Sequence, residues 1–378
     1  HVVVANPPYM GGKGMNSKLQ AFAKGTFPNS KSDLFAMFME RALELSLRHG
    51  MMAMINMQSW MFLSTYEKLR SALLSGANIA SMIHIGERGF DSIGGAVVST
   101  TAFVVRNTSN SEAVGEYIRL TAGKSEAEKQ TQLLDALRER KMHFVASRDF
   151  QRIPGNPIAY WASKNVRRAF GSPTRLEEIA PARAGLQTGE NERFIRYWHE
   201  VVIQKSGLHY LEKPDAEASN FKWFPYNSGG SARRWFGNNE KVVNWENNGA
   251  DIKRDKLEKL EVGLCLPSNS KPKNEQYYFL PSITWTKIAT STFGVRLCRQ
   301  GFVFDIAGSS AFPENKNLYL SAAFLNSKVA ADFLQLLNPT VNIQTGDIGN
   351  LPWLCDALEI HRSEISATCE RAVNTAMA

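Results

Sequence analysis

Apolar and polar segments alternate along the first 150 residues in a way that predicts strands and amphipathic helices in turn. The β-branched run "VVVA" near the start is ended by Pro7–Pro8, and it predicts a buried parallel strand. The segment "SDLFAMFMERALELSLRHG" predicts a helix with Ser32 as N-cap and Gly50 as its stop. Its apolar positions at helical spacing are Leu34, Phe35, Phe38, Ala42 and Leu45. The run "MMAMINM" predicts a second buried strand.

The same alternation continues to about residue 150. Ser64 and Glu67 predict a capping box for a helix that ends at Gly76. The runs "IASMIHI", "GAVVSTTAFVV" and "GEYIRL" predict strands, and a charged helix is predicted from about Glu126 to Lys141. Strands that alternate with helices predict a parallel sheet with helices on both faces. We therefore expect a first domain over residues 1–150 and a second over 151–378.

The second half differs in pattern from the first. Tryptophans are frequent, apolar runs are short, and "NSGGSARRWFGNN" and "PSNSKPKNEQ" are typical of loops. One strong helix is predicted for "LYLSAAFLNSKVAADFLQLLN". The sequence has no internal repeat of fixed period. This pattern predicts a mixed α/β domain with long loops.

Composition narrows the class of protein. With 378 residues, 43% of them apolar, the chain is long enough for two globular domains, and no apolar run is long enough to cross a bilayer. We expect a soluble, cytoplasmic protein. The net charge of +8 favours a polyanionic partner. The four cysteines and seven histidines lack the spacing of metal ligands, so no metal is expected. Because His1 would begin inside a strand, we expect a piece of a longer protein.

The tetrad Asn6–Tyr9 carries groups that can recognise a planar base. The Asn6 side-chain oxygen and the Pro7 carbonyl can both accept hydrogen bonds from one exocyclic amino group. Pro8 stiffens the loop that holds these acceptors. Tyr9 offers a ring face for stacking, which is worth about 1–3 kcal/mol. These properties suit a flipped-out adenine whose amino group attacks an electrophilic methyl group.

At these residues the chain resembles the gamma-type DNA adenine-N6 methyltransferases, which carry Asn-Pro-Pro-Tyr after the fourth strand of a Rossmann-like domain that binds S-adenosylmethionine. The resemblance implies a partial domain of this kind followed by a mixed α/β target-recognition domain. It implies that Asn6, Pro7 and Pro8 orient the target amino group, that Tyr9 stacks on the base, and that Asp33 in "SDLF" lies against the cofactor. Phe103, or alternatively Phe90, is the candidate for the second face of the base.

Segments of the second half extend this resemblance to the adenine methyltransferases of BREX phage-defence systems. The segments are "LQTGENERFIRYW", "SITWTKIATSTFGVRLCRQGFVFDIAGSSAF", "LYLSAAFLNS" and "NPTVNIQTGDIGNLP". The resemblance implies site-specific methylation of adenine N6 in double-stranded DNA, with S-adenosylmethionine as donor and other defence proteins as partners. The family's glycine-containing cofactor loop precedes Asn-Pro-Pro-Tyr and has no counterpart in this sequence. The chain alone is therefore expected to be inactive.

Candidate DNA contacts come from basic residues in the loops of the second half and in the family-like segment. These candidates are Arg233, Arg234, Lys271, Lys273, Lys287 and Arg296, with Trp235, Asn238, Asn239, Asn269 and Thr286 beside them. Such side chains read base edges or hold phosphates. The sequence does not say which of these two roles each residue has.

The sequence leaves other functions open. A Type I or Type IIG restriction–modification methyltransferase would share these motifs, and a nuclease could lie outside this chain. A DNA-recognition module without catalysis is a second alternative. An Asn-Pro-Pro-Tyr site can also act on RNA or on a protein glutamine. The size of the second domain favours duplex DNA.

Overall fold

A computed structural model describes the chain except for a few short segments. It describes residues 1–91, 98–210, 212–288, 293–338 and 340–378, without the side chain of Asp356. The chain divides into two compact units, His1–Gly171 and Ser172–Ala378. This division lies later than the boundary predicted near residue 150, because Phe150, Ile158 and Tyr160 are buried in the core of the first unit.

A six-stranded sheet with the order β1-β2-β4-β3-β5-β6 forms the centre of the first unit. Its strands are β1 (Val2–Ala5), β2 (Met51–Met57), β3 (Asn78–Gly86), β4 (Thr100–Arg106), β5 (Val114–Arg119) and β6 (His143–Ala146). The helices of this unit are α1 (Ser17–Thr26), α2 (Leu34–Leu45), α3 (Glu67–Gly76), α4 (Glu126–Glu139), α5 (Ser147–Phe150) and α6 (Lys164–Ala169).

The sheet is mixed, so the prediction of a parallel sheet was wrong. β1 is parallel to β2 and β3 is parallel to β5, but β4 is antiparallel to both β2 and β3. β4 is the strand that follows β3 in the chain, and a crossover helix would be needed to make the two parallel. As a result, the C-terminal ends of β1, β2, β3 and β5 lie at the same edge of the sheet.

β1 is an edge strand in the described sheet, not the buried strand that the sequence predicted. Val2 and Val4 are 60% and 74% exposed, whereas Val3 and Ala5 pack against the core. A β-branched run looks alike in a central and an edge strand, because both need the same pleated backbone. The parallel direction of β1 was predicted correctly.

Two helix starts differ from the prediction. The N-cap of α2 is Asp33 and not Ser32, and the predicted apolar positions Phe38 and Leu45 are exposed. The buried face of α2 consists of Phe35, Ala36, Met37, Met39 and Ala42. α3 begins at Glu67 after a 3₁₀ turn over Ser64–Tyr66, and Tyr66 is its N-cap, so Ser64 and Glu67 do not form a capping box.

The second unit contains two four-stranded sheets, with the orders β13-β9-β10-β8 and β12-β11-β14-β7. Its strands are β7 (Ala182–Arg183), β8 (Ile195–Tyr197), β9 (Trp223–Asn227), β10 (Lys241–Asn244), β11 (Ser282–Trp285), β12 (Val295–Cys298), β13 (Val303–Phe304) and β14 (Ser310–Ala311). Its helices are α7 (Leu176–Ile179), α8 (Asn191–Phe194), α9 (Lys213–Ala218), α10 (Glu246–Glu261), α11 (Leu318–Leu325), α12 (Lys328–Leu337), α13 (Thr345–Gly349), α14 (Cys355–Ile360) and α15 (Arg362–Met377).

The helix predicted for "LYLSAAFLNSKVAADFLQLLN" consists of two helices, α11 and α12. The Ser327 side chain accepts a hydrogen bond from the Ala330 amide and caps α12. In the part of the chain that the structure describes, no helix combines the length and apolar character that a membrane crossing needs. No group of three or more potential metal-ligating side chains occurs among the same residues.

Candidate active site and nucleic-acid interface

The Asn-Pro-Pro-Tyr loop directly follows β1 at the edge where the C-terminal strand ends meet. Asn6 is exposed and Pro7 is buried. Among the described residues, neither the Asn6 amide nor the Pro7 carbonyl has a hydrogen-bond partner. Two neighbouring acceptors are therefore available to an outside group.

The ring of Tyr9 packs against one neighbouring aromatic ring. It meets Phe35 of α2 in an edge-on contact, with 6.2 Å between ring centroids and 87° between the ring planes. Tyr9 remains 37% exposed. Partial burial raises the pKa of the phenol, so its O–H stays protonated at neutral pH. The contact with Phe35 holds the ring without covering all of it.

Asp33 ties the same loop to the start of α2. Its Oδ1 accepts hydrogen bonds from the Met10 amide at 2.9 Å and the Phe35 amide at 3.4 Å. The Leu34 amide donates to the Met10 carbonyl at 3.2 Å, which closes the connection from the other side. Burial raises the pKa of the Asp33 carboxyl, and these backbone amides counteract that effect. Asp33 thus positions the residues after Tyr9, while its contact with a cofactor stays a prediction.

The two candidates for the second face of the base lie in different environments. Phe103 is 3% exposed in the middle of β4 and packs on Trp60, with 5.0 Å between centroids. The ring of Phe103 is therefore enclosed in the core of the first unit, and its stacking on a base stays a prediction. Phe90 is half-buried and follows the end of β3. Phe90 thus lies beyond a strand end at the edge that carries Tyr9.

A buried histidine lies close to this edge and was not predicted from the sequence. His84 of β3 is 4% exposed. Its Nε2 lies 2.6 Å from Gln58 Oε1, and its Nδ1 lies 3.0 Å from the Tyr160 hydroxyl. Since an amide oxygen only accepts, Nε2 donates to Gln58 and Tyr160 donates to Nδ1. Burial, with the nearby charges of Arg119 and Lys129, lowers the pKa of His84 to about 4.

This environment predicts that acid destabilises the first unit. The folded protein holds His84 neutral, whereas the unfolded chain protonates it around its ordinary pKa of 6.5. The stabilisation is complete above pH 6.5 and is lost as the pH falls towards 4, by up to about 3 kcal/mol. Free energies of unfolding from urea titrations at pH 7.5 and pH 5 should fall less in His84→Gln than in the wild type. An equal fall in both proteins would contradict this assignment.

The DNA-binding candidates of the second unit occupy three separate environments. Arg233 and Arg234 are exposed in the loop between β9 and β10. Arg296 is 1% exposed in β12, which differs from the surface position expected for a DNA contact. Its Nη1 donates to Thr286 Oγ1 at 3.3 Å, and the charge of Arg233 acts on its guanidinium. The structure therefore places Thr286 and Arg296 in contact, and it brings Arg233 near them through Trp235, whose backbone pairs with that of Arg296.

The three lysines are placed differently. Lys271 is exposed, and Lys273 lies in the same loop near Lys256. Lys256 donates from Nζ to the Asn269 carbonyl at 2.9 Å, so this loop is anchored to α10. Lys287 is half-buried, and its amide donates to the Ala307 carbonyl at 3.0 Å. A DNA contact of these lysines stays a prediction.

A cleft of about 1230 Å³ in the second unit was also not predicted. Its lining includes the turn of residues 187–192, Arg196, Lys241 and Asp305. The Tyr226 hydroxyl donates to Asp305 Oδ2 at 2.7 Å, and burial raises the pKa of Asp305. The available signal in the sequence was the family-like segment "LQTGENERFIRYW", which contributes one wall.

The family model and the two curated relatives that match this chain are all described as methylases or methyltransferases. Residues 1–90 match the Eco57I restriction-modification methylase family. The adenine-specific methyltransferase PglX of Lacticaseibacillus casei (strain Zhang) is 40% identical over 360 residues, which cover 93% of this chain and 29% of PglX. The adenine-specific methyltransferase BrxX of Escherichia coli O9:H4 (strain HS) is 41% identical over 355 residues, which cover 93% of this chain and 27% of BrxX. The chain thus spans less than a third of either relative.

A solved structure shares the fold. The Type IIL restriction-modification enzyme MmeI, solved in complex with DNA, superposes with a TM-score of 0.53 over 93% of this chain and 46% of that chain. At 10% sequence identity, this likeness shows that the two chains share a fold.

Proposed function

This chain resembles the adenine-specific methyltransferases PglX and BrxX, and on that premise we propose that it is the acceptor-binding and DNA-recognising part of an enzyme that methylates adenine N6 at a specific site in double-stranded DNA. The first unit holds the target base, and the second unit recognises the DNA. The enzyme acts in phage defence in the cytoplasm, together with other proteins of a BREX-like system.

The free acceptors of the Asn-Pro-Pro-Tyr loop carry this proposal. The Asn6 amide and the Pro7 carbonyl lack partners among the described residues and lie on adjacent residues after a strand end. An adenine amino group has two N–H donors, so one such group satisfies both acceptors.

These residues would make the amino nitrogen a better nucleophile. With both N–H bonds held by acceptors, the lone pair of the nitrogen is less delocalised into the ring and points towards the donor. Tyr9 stacks on the base and offsets part of the cost of flipping it out of the duplex, which is a few kcal/mol. As the nitrogen bonds to the methyl carbon, the bond between that carbon and the donor's sulfur would break, the sulfur would keep the electron pair, and the surplus proton of the nitrogen would leave to solvent.

S-adenosylmethionine is the cofactor that this reaction implies. When bound, it supplies a methyl carbon on a sulfonium, a leaving group that needs no metal ion. The exposed face of the loop, with the free Asn6 amide and the partly exposed Tyr9 ring, fits the methyl-bearing end of this group. Since PglX and BrxX are more than three times as long as the matched segment, we propose that other parts of the full-length protein hold the nucleoside.

Nucleoside mass spectrometry of cellular DNA tests the proposed reaction. Cells that express the full-length gene with its partner genes should contain N6-methyladenine, concentrated at one sequence motif, and cells with an empty vector should not. Methyladenine spread over all adenines would argue against site recognition by the second unit. Its absence, with expression verified by immunoblot, would favour a DNA-recognition module without catalysis or another acceptor.

A further inference from the structure

The second unit contains a buried arginine without enough hydrogen-bond partners. Arg296 lies in β12 between Thr284 of β11 and Trp235 of the loop between β9 and β10. The Trp235 amide donates to the Val295 carbonyl at 2.9 Å, and the Leu297 amide donates to the Trp235 carbonyl at 2.8 Å. The loop is therefore bonded along the strand that carries Arg296.

The unpaired nitrogens of Arg296 form a fork. Nη1 donates to Thr286 Oγ1, whose own hydroxyl donates to the Gly230 carbonyl at 3.1 Å. Nε and Nη2 are enclosed and have no partner among the described residues. These two nitrogens present parallel N–H bonds, the arrangement that binds two oxygens of one oxyanion. An anion with two oxygens would accept hydrogen bonds from both of these unpaired N–H donors.

A second cation lies beside it. Arg233 is exposed and lies two residues before Trp235, whose backbone pairs with that of Arg296. Burial lowers the pKa of Arg296, and the charge of Arg233 adds to this effect, whereas Cys298 and Glu240 oppose it. The ion pairs between described residues include neither arginine. The Glu240 carboxylate acts on Arg296 from a distance but forms no ion pair with it among the described residues, and a fully charged anion between the two arginines would reduce their repulsion further.

Glycines shape the loop around its arginines. Gly237 has a φ of 123°, and a Cβ at this position would lie 2.7 Å from Arg233 Cδ. A Cβ at Gly294 would lie 2.6 Å from Arg234 Cγ. The positive φ at Gly237 favours glycine there, whereas a side chain at position 294 would require the Arg234 side chain to move. The two glycines thus leave Arg233 and Arg234 unobstructed in the loop.

We propose that Arg233 and Arg296 bind one phosphate of the DNA backbone. This inference rests on the proposed function in taking duplex DNA as the ligand. A phosphate carries a full negative charge, which suits two cations, whereas a guanine edge offers only partial charges to a single arginine. Because Nε and Nη2 of Arg296 are enclosed in this structure, the proposal includes a displacement of the loop over residues 228–239 that uncovers them for the phosphate.

Salt-dependent DNA binding by the full-length protein tests this site. Arg233→Gln and Arg296→Met should each weaken binding about 10-fold, and to the same degree for a duplex with the recognition motif and a scrambled duplex. Each should also reduce the slope of log K against log salt by about 1, since one phosphate contact is lost. Arg371→Gln is the control, because Arg371 is exposed on α15, and the hydrogen bond of its side chain among the described residues goes to Thr368 Oγ1, three residues earlier on the same helix. It should bind like the wild type.

The double variant separates one shared phosphate from two independent contacts. If both arginines hold the same phosphate, Arg233→Gln combined with Arg296→Met should bind little worse than the weaker single variant. Should Arg296→Met fail to fold, as judged by thermal unfolding, Arg233→Gln alone decides the question. An unchanged salt slope, or a loss confined to the duplex with the recognition motif, would overturn the proposal. These binding assays need no methyl donor. They can therefore be interpreted even if the protein does not carry out the proposed methyl transfer.

Discussion

Replacing Asn6 by alanine in the full-length enzyme will lower methyl transfer by about 100- to 1000-fold and leave duplex binding unchanged. The side chain removed is one of two acceptors for the target amino group, and losing one oriented hydrogen-bonding group at a reacting centre typically costs this much in rate. Because Asn6 is exposed and unpaired among the described residues, the fold loses no internal contact, and stability should change by less than about 0.5 kcal/mol.

The matched control keeps an acceptor at the same place. Asn6→Asp retains a side-chain oxygen of the same reach, so it should transfer methyl groups faster than Asn6→Ala. Single-turnover transfer of a labelled methyl group measures the chemical step, and a gel-shift titration measures duplex affinity. Wild-type transfer by Asn6→Ala would remove Asn6 from the reaction. A parallel loss of affinity in both variants would assign Asn6 to DNA binding instead.

The position of the Asn-Pro-Pro-Tyr loop directly after a strand was predictable because it depends on local sequence. Two consecutive prolines cannot continue a strand, so "VVVANPPY" specified a strand end with polar residues beyond it, and β1 ends at Ala5. The direction of β4 was not predictable in this way. An apolar run fits a strand of either direction, and the connection that decides between them contains residues 92–97, which lie outside the described part of the chain.

The contacts that complete the site join residues far apart in sequence. Asp33 accepts a hydrogen bond from Met10, 23 positions earlier, and nothing in "SDLF" indicates that partner. Arg296 was predicted as a DNA contact from its charge and its family-like segment. Its burial follows from pairing with Thr284 and Trp235, which belong to other segments of the second unit. The spacing of apolar residues predicts which face of a helix or strand is buried, but it does not predict which distant segment packs on that face.

Replacing Asp33 by alanine will lower methyl transfer by about 10- to 100-fold and destabilise the first unit by about 1–2 kcal/mol. The variant loses the N-cap of α2 and the bond to the Met10 amide, and losses of this kind cost about that much. The loop is then held only by the Leu34–Met10 backbone bond and by the contact of Tyr9 with Phe35. A displacement of reacting groups by about 1 Å can reduce a rate about 100-fold.

Asp33→Asn separates this positioning role from a direct contact of the charge with cofactor. Its amide oxygen can still accept from Met10 and Phe35, and burial already disfavours the carboxylate charge, since it raises the pKa of Asp33. We therefore expect Asp33→Asn to retain nearly the stability and transfer rate of the wild type, with an unchanged KM for the methyl donor. Both variants are compared with the wild type in three measurements. These are the transfer rate at saturating methyl donor, the KM for the methyl donor, and the free energy of unfolding from urea titrations. If Asp33→Asn has wild-type stability but a raised KM for the methyl donor, the carboxylate binds cofactor. The hydrogen bonds to the Met10 and Phe35 amides need only an oxygen acceptor, which asparagine also supplies, so their loss could not explain the raised KM.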